Sequence, residues 1–396
     1  MKELPEELFN NISPLDHRYA STPLARKLRK YFAEEVRVRY QARVEQALVA
    51  TWEELGNAPA GSGDEVARAV QGLRAADVYK AEQVTRHDIR ALVRVLQEKV
   101  PPEVRPFIHL GVTSYDIVDT AHSLQLREAV LELVLPLLKE LLAAWLELAW
   151  REKDTVQVGR THGQHAVPTT FGYLMLLYCQ RLSTEINKLK GCVEKLQGKV
   201  AGPVGAYNGI SLLYPEPEEF EKMVLDKVGL KPAPVSSQII PGEDILHLFH
   251  HQVAVLGIMA DFSDDMRHLQ RTEIGEVGEE FAAGQVGSST MPQKQNPINF
   301  ENVKSIWKSF LPRILTIYMD QLSEHQRDLS NSASGRFYHE LAAGLVLNAE
   351  RLLKVSRRLQ VNKQAMERNL HLSDGYIMAE AAYLLLAKNG RGDAHE

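Results

Sequence analysis

Four segments of this chain gather side chains that can move protons or hold anions. The first is Gly287-Ser288-Ser289-Thr290-Met291-Pro292-Gln293-Lys294-Gln295-Asn296-Pro297, following Ala282-Ala283-Gly284. Glycine and serine there offer backbone N–H groups and Lys294 adds a cation. A hydroxyl beside that cation can serve as base or nucleophile once its pKa is lowered; the plain alternative is a helix-to-helix connection with serine caps. The second is Arg160-Thr161-His162-Gly163-Gln164-His165, running into Pro168-Thr169-Thr170. An imidazole between threonine and glutamine can have its tautomer fixed and act as general acid or base near neutral pH. The alternative is a threonine-capped helix start with two surface histidines. The third, Ile108-His109-Leu110-Gly111-Val112-Thr113-Ser114-Tyr115-Asp116, sets a Thr-Ser pair where it can cap a helix or hold an anion at a helix N-terminus. The fourth, Gln326-Arg327-Asp328-Leu329-Ser330-Asn331-Ser332-Ala333-Ser334-Gly335-Arg336, interleaves two arginines with hydroxyls and an amide, which suits a phosphate; the alternative is a solvated loop. Arg86-His87-Asp88 adds a histidine beside a carboxylate. His247, His250 and His251 have the i, i+3, i+4 spacing of a metal pair, but no HExxH and no third ligand accompanies them, so no metal and no cofactor are expected.

Long helices must position these segments. The 396 residues are 44% hydrophobic and 24% charged with a net charge of −5, enough for a large core without disulfides and a poor match to a nucleic-acid binder. Cys179 and Cys192 fit neither C-x-x-C nor a zinc pattern and read as free thiols in a reducing compartment. The N-terminus has no signal layout, and no uncharged apolar run approaches a membrane span, so a cytoplasmic protein is expected. Between 124 and 150, Val130, Leu131, Val134, Leu135, Leu138, Leu141, Leu142, Trp145 and Leu146 repeat at helical spacing on a stripe too wide for a monomer surface, with Pro136 as a kink. Further helical runs are expected over about 169–200, 243–281, 300–324 with a kink at Pro312, and 336–359. Strand patterning is scarce. Neither GxGxxG, GxxxxGK[ST] nor GxSxG stands at a strand-to-helix turn, which weakens dinucleotide, P-loop and α/β-hydrolase readings.

The 287–297 string resembles the signature loop of the fumarase/aspartase superfamily. Thr161-His162-Gly163-Gln164, and Gly111-Val112-Thr113-Ser114 with Asp116, resemble two further blocks of that superfamily, in the same order. The resemblance implies an all-α, three-domain fold with a central long-helix bundle. Its divisions would be a helical domain over 1–112 with His87 and His109, the bundle over 113–362 with the signature loop at 283–297, and a helical cap over 363–396 that reads as truncated. It also implies a homotetramer with shared active sites and a lyase that releases fumarate by breaking a bond β to a carboxylate. Within the superfamily, Asp16-His17-Arg18-Tyr19, Arg86-His87-Asp88 and Arg327-Asp328-Leu329 with Ser332 and Arg336 resemble the branch acting on small-molecule succinyl nucleotides of purine synthesis. An argininosuccinate-cleaving or cycloisomerase relative, with some support from Gln293, and a non-catalytic helical oligomer are the alternatives.

By the same resemblance, Ser288 is the general base for the succinyl β-proton and His162 the general acid for the leaving nitrogen. Lys294 faces the dianionic carboxylate, with Asn296 on the same loop. His87 and His109 line the site, and Asp88 belongs to the His87 motif. Arg18 and Tyr19 contact the nucleotide. Thr113, Ser114 and Gln238 hold polar groups of the substrate, Glu301 and Asn302 order the loop, and Arg327, Ser332 and Arg336 hold the phosphate. The chemistry is coherent, because proton removal beside a carboxylate builds an aci-carboxylate dianion that preorganised N–H groups and a lysine stabilise. A serine base requires a water-poor site with positive charge nearby.

Overall fold

The computed structural model describes residues 10–20, 22–280, 290–291 and 293–395, apart from the side chain of Ala25. Its elements in chain order are α1 (Pro23–Phe32), α2 (Glu34–Glu54), α3 (Ser62–Gln71), α4 (Ala75–Thr85), α5 (Asp88–Lys99), α6 (Ser114–Ala129), α7 (Leu135–Arg151), β1 (Val156–Thr161), β2 (Gln164–Thr170), α8 (Phe171–Val193), β3 (Gln197–Gly198), α9 (Pro217–Val228), β4 (Lys231–Pro232), α10 (Glu243–Leu269), β5 (Val277–Gly278), α11 (Ile298–Phe310), α12 (Arg313–Met319), α13 (Tyr338–Ser356), β6 (Gln360–Val361), α14 (Lys363–His371) and α15 (Ala379–Lys388). The fold is all-α, as expected. The six strands make three two-stranded pairs: β1 with β2 and β5 with β6 antiparallel, β3 with β4 parallel.

Proline sets several helix boundaries. A π-helical turn over Val130–Val134 joins α6 to α7 just ahead of Pro136. Proline has no N–H to donate and its ring crowds the carbonyl four residues back, and a widened turn relieves both. The helical run expected over 300–324 is broken in two, α11 ending and α12 restarting around Leu311-Pro312. The run expected from 169 is strand through Thr170 and helix only from Phe171, and α10 stops at Leu269, well short of 281. By length and hydropathy α10 has a window apolar enough to cross a membrane, but 56% of that window is buried within the protein. The helix also carries Asp261, Asp264, Asp265 and Arg267, as a core helix with one polar face does.

The chain forms two compact units. One comprises Met1–Pro136, Lys188–Gln252 and Pro312–Ala343; the other comprises Leu137–Asn187, Val253–Leu311 and Gly344–Glu396. In the first unit α2 is the central element. Its buried face packs against α3, α6 and α9. One apolar cluster gathers Val38, Val44, Val66, Leu92, Leu96 and Leu124, and a second gathers Leu48, Trp52, Phe220 and Val224, with the Trp52 and Phe220 rings 4.3 Å apart. In the second unit Trp145 on α7 stacks on Phe262 of α10 at 4.6 Å, and Tyr178 of α8 and Phe300 of α11 meet the same Phe262 edge-on.

Candidate active site

In the first unit, α6 begins at the third of the chemically suggestive segments. Thr113 occupies the N-cap position, and its N–H donates to the Asp116 carboxylate at 2.7 Å. That bond satisfies an amide the helix itself leaves unpaired. Ser114, Tyr115, Asp119 and His122 then line one side of a cavity of about 660 Å³. Several other chain segments complete its wall. At the α4–α5 junction Arg86 adopts φ 53°, and His87 caps α5 by accepting the Arg90 N–H at 3.4 Å. Across the cavity, the Gln238 N–H donates to the Gln326 carbonyl at 3.3 Å, joining the Ser236–Ile240 stretch to the arginine-rich loop. His87, Asp88, Ser114, Gln238, Arg327, Ser332 and Arg336 therefore line one cavity, although they are scattered over 250 positions of sequence. Arg18 and Tyr19 lie in the turn over 14–20 and do not line it, nor does His109, and Thr113 serves as the cap rather than as wall.

The walls of this cavity hold groups with displaced proton affinities. Asp119 accepts the Ile240 N–H at 2.9 Å, and burial pushes its carboxyl up to about 6. His122 is pushed down to about 4 by burial, with His339 and Arg37 adding to the effect, so it is neutral at physiological pH. Arg327 lies with its guanidinium 3.9 Å from the centre of the Tyr115 ring and donates to the Tyr115 hydroxyl.

Beneath the start of α6 the same unit holds a buried ion pair and a histidine–carboxylate hydrogen bond. Lys199 and Asp116 are paired with no solvent exposure of either side chain, and Asp116 also accepts the N–H groups of Ala201 and Gly202. His109 has φ 64°, and its Nδ1 lies 2.7 Å from Oε1 of the fully buried Glu45. Burial by itself would lower the His109 pKa, but the hydrogen bond and charge of Glu45 raise it above the ordinary value.

In the second unit, the segment over 160–165, for which a helix start was the plain alternative, is a hairpin. β1 pairs with β2, Thr161 lies opposite Gln164, and His162 and Gly163 form the two-residue turn with φ 54° and 76°. Hairpin turns of this length that require positive φ at both positions favour residues such as His and Gly. The imidazole of His162 is exposed at the tip. The hairpin base is fixed by the fully buried Glu276, which accepts from Arg160 at 2.6 and 3.1 Å, Gln157 at 2.7 Å and Asn369 at 2.8 Å. A second cavity of about 1380 Å³ in this unit is lined by Lys294, Asn296 and Glu301 together with Arg267 and Arg271. Asn302 follows on α11 with its Oδ1 buried and unbonded among the described residues. Ser288 lies outside the described residues. Among the described residues no group of three or more His, Cys, Asp or Glu is placed to hold a metal ion.

No site role was assigned from the sequence to Glu45, Tyr115, Asp119 or His122. The available signal for Glu45 was a carboxylate on the buried stripe Gln41, Glu45, Leu48, Trp52 of α2, and for Asp119 and His122 their i, i+4, i+7 register with Tyr115 on α6.

A family model described as Lyase matches residues 18–309. The chain is 37% identical to a protein of Pyrococcus abyssi named adenylosuccinate lyase, over 97% of this chain and 85% of that one. It is 34% identical to the adenylosuccinate lyase of Thermotoga maritima, over 94% and 84%. Among solved structures it is similar to a 3-carboxy-cis,cis-muconate lactonizing enzyme of Pseudomonas putida, with TM-score 0.86 and 25% identity over 97% of this chain and 86% of the other. It is also similar to a fumarate lyase of Mesorhizobium sp. BNC1, with TM-score 0.83 and 22% identity over 93% and 84%. On this evidence the chain belongs to the adenylosuccinate lyase family of the fumarase/aspartase superfamily.

Proposed function

We propose that this protein eliminates fumarate from adenylosuccinate, leaving AMP, and from the succinyl-aminoimidazole-carboxamide ribotide, leaving AICAR. The observation that carries the reading is the 660 Å³ cavity, which sets Arg327, Arg336, Ser332 and His87 around one space with Ser114 at the α6 N-terminus. Two guanidinium groups, a hydroxyl and helix-terminal N–H groups are suited to a phosphate monoester. An argininosuccinate lyase has no phosphate to hold and would have no use for this arrangement.

In this mechanism Ser288 removes the β-proton, Lys294 and its loop neighbours stabilise the aci-carboxylate, and His162 protonates the departing nitrogen. The hairpin supports the last role by presenting an imidazole on a turn whose base is pinned through Glu276. Glu301 and Asn302 sit on α11, directly after the loop, where they can order it. The working assembly is a homotetramer whose active sites draw on more than one subunit. Large apolar side chains left exposed on α7 and α8, among them Leu146, Trp150, Tyr173, Leu176 and Leu177, support an assembly that covers them. Cys179, buried and in no disulfide, supports a cytoplasmic location.

The deciding experiment offers purified protein adenylosuccinate and argininosuccinate in parallel and measures fumarate. Release from adenylosuccinate alone is expected. Release from argininosuccinate alone, or from neither, overturns the reading.

A further inference from the structure

We propose that Glu45 is the positioning residue for His109, fixing the imidazole as its Nδ1–H tautomer so that Nε2 is the atom offered to the substrate. The proposal rests on the reading of His109 as a residue of the lyase site.

The geometry is a two-point grip. The Glu45 carboxylate has no solvent exposure. Its Oε2 accepts the His109 backbone N–H at 2.9 Å, and its Oε1 lies 2.7 Å from His109 Nδ1. A carboxylate between those two contacts can only accept, so the ring nitrogen facing it carries the hydrogen. The imidazole is 18% exposed; the bond to Glu45 is the ring's one hydrogen bond found among the described residues, and the ring lines neither of the two cavities described above. One nitrogen is thus committed to the protein and the other is free for chemistry.

The backbone is held to match. His109 stands at φ 64°, which a non-glycine residue adopts only where its surroundings enforce it. Seven residues along α2 from Glu45, and so on the same face, Trp52 donates its indole N–H to the Leu110 carbonyl at 3.3 Å. Gly111 follows at φ 83°, where a Cβ would come within 2.7 Å of Ile210. The His109–Leu110 stretch is therefore clamped to α2 at two backbone points, the His109 N–H and the Leu110 carbonyl, directly ahead of the Thr113 cap and Ser114. A purely structural clamp would need only the two backbone contacts; the bond from Glu45 to the ring adds control of the side chain.

Three charged groups face this imidazole. Glu45 on α2 and Asp116 on α6 favour its protonated form, and Arg90 on α5 opposes it. Glu45 is the only one of the three hydrogen-bonded to the ring.

The first test uses the unaltered enzyme: ¹⁵N chemical shifts of the His109 ring identify the tautomer, and an Nε2–H form overturns the proposal. The second compares Glu45→Gln, which keeps the shape and removes the charge. Its His109 titration midpoint is expected to fall by about one unit or more, with kcat for adenylosuccinate down on the order of ten- to a hundredfold and KM within about threefold. The third places Glu45→Gln in a His109→Asn background, where it is expected to cost no further activity. An unmoved His109 titration, or the same loss in both backgrounds, overturns the proposal. Glu45→Asp, which keeps the charge, is expected to recover part of the titration midpoint. Should the unaltered enzyme fail to cleave adenylosuccinate, the lyase reading falls, while the two spectroscopic arms still decide whether Glu45 controls His109.

Discussion

The guanidinium of Arg327 is stacked on the ring of Tyr115, 3.9 Å from its centre, and hydrogen-bonded to the same tyrosine's hydroxyl. The pair joins the arginine-rich loop to α6 and fixes the direction of a side chain that otherwise has many rotamers. Replacing Tyr115 by Leu is expected to raise KM for adenylosuccinate about three- to tenfold, the equivalent of a cation–π contact worth about 0.7–1.4 kcal/mol, with kcat little changed. Arg336→Ala is expected to act in the same direction and more strongly, because on the proposed reading a phosphate partner itself is lost. Steady-state kinetics check both, and an unchanged KM for Arg336→Ala contradicts the phosphate assignment.

Ser288→Ala is expected to reduce kcat by at least about a thousandfold while substrate still binds, because a general base acts in the transition state and adds little to ground-state affinity. Calorimetric titration with adenylosuccinate reads the binding, and fumarate absorbance reads the turnover. Retained turnover removes Ser288 from the mechanism.

The ion pair of Lys199 with Asp116 has zero exposure on both sides. Lys199→Met leaves the Asp116 carboxylate buried with only N–H donors for compensation, and removal of one partner of such a pair costs about 3–5 kcal/mol. Urea unfolding monitored by circular dichroism is expected to show that loss. Catalysis is expected to weaken too, since Asp116 also accepts the Thr113 N–H at the start of α6.

His122 makes stability depend on pH in a definite direction. Its folded pKa is pushed down to about 4 from an ordinary 6.5, so the unfolded chain takes up the proton first as pH falls. The contribution is fully present above about pH 6.5 and is lost as pH falls toward 4, by roughly 3 kcal/mol at most. Asp119 works in the opposite sense, because its folded pKa is raised to about 6 and protonation there favours the folded state. The measurement is therefore a difference: His122→Gln against the parent, by urea midpoint at pH 7.5 and pH 5. The variant is expected to lose less stability between those two values, and an equal loss contradicts the assignment.

Much of the site was legible in the linear sequence because its side chains come in dense local strings. The 326–336 block, the Thr113-Ser114 cap with Asp116 and the His87-Asp88 pair each announce anion binding or capping within a few residues; the structure shows the caps at Thr113 and His87 and places His87, Asp88, Ser114, Arg327, Ser332 and Arg336 on one cavity. The hairpin carrying His162 was not foreseen, the plain alternative for that segment being a helix start. Its signal was present in the alternation of Val156-Gln157-Val158 and in His162-Gly163 at the turn, but Pro168 and the helix from Phe171 masked it.

The sequence by itself determined the helical class, the family and a minority of the polar groups on the cavity wall, namely His87, Asp88, Ser114, Gln238, Arg327, Ser332 and Arg336, because periodicity, capping and motif strings are properties of neighbours along the chain. Only the tertiary structure decided that Glu45 serves His109 from 64 positions away, that Tyr115 supports Arg327 across 212, and that Lys199 neutralises Asp116 across 83. Each of those pairings depends on which faces of two helices or loops are buried against each other. Packing fixes that choice, and no local spacing encodes it.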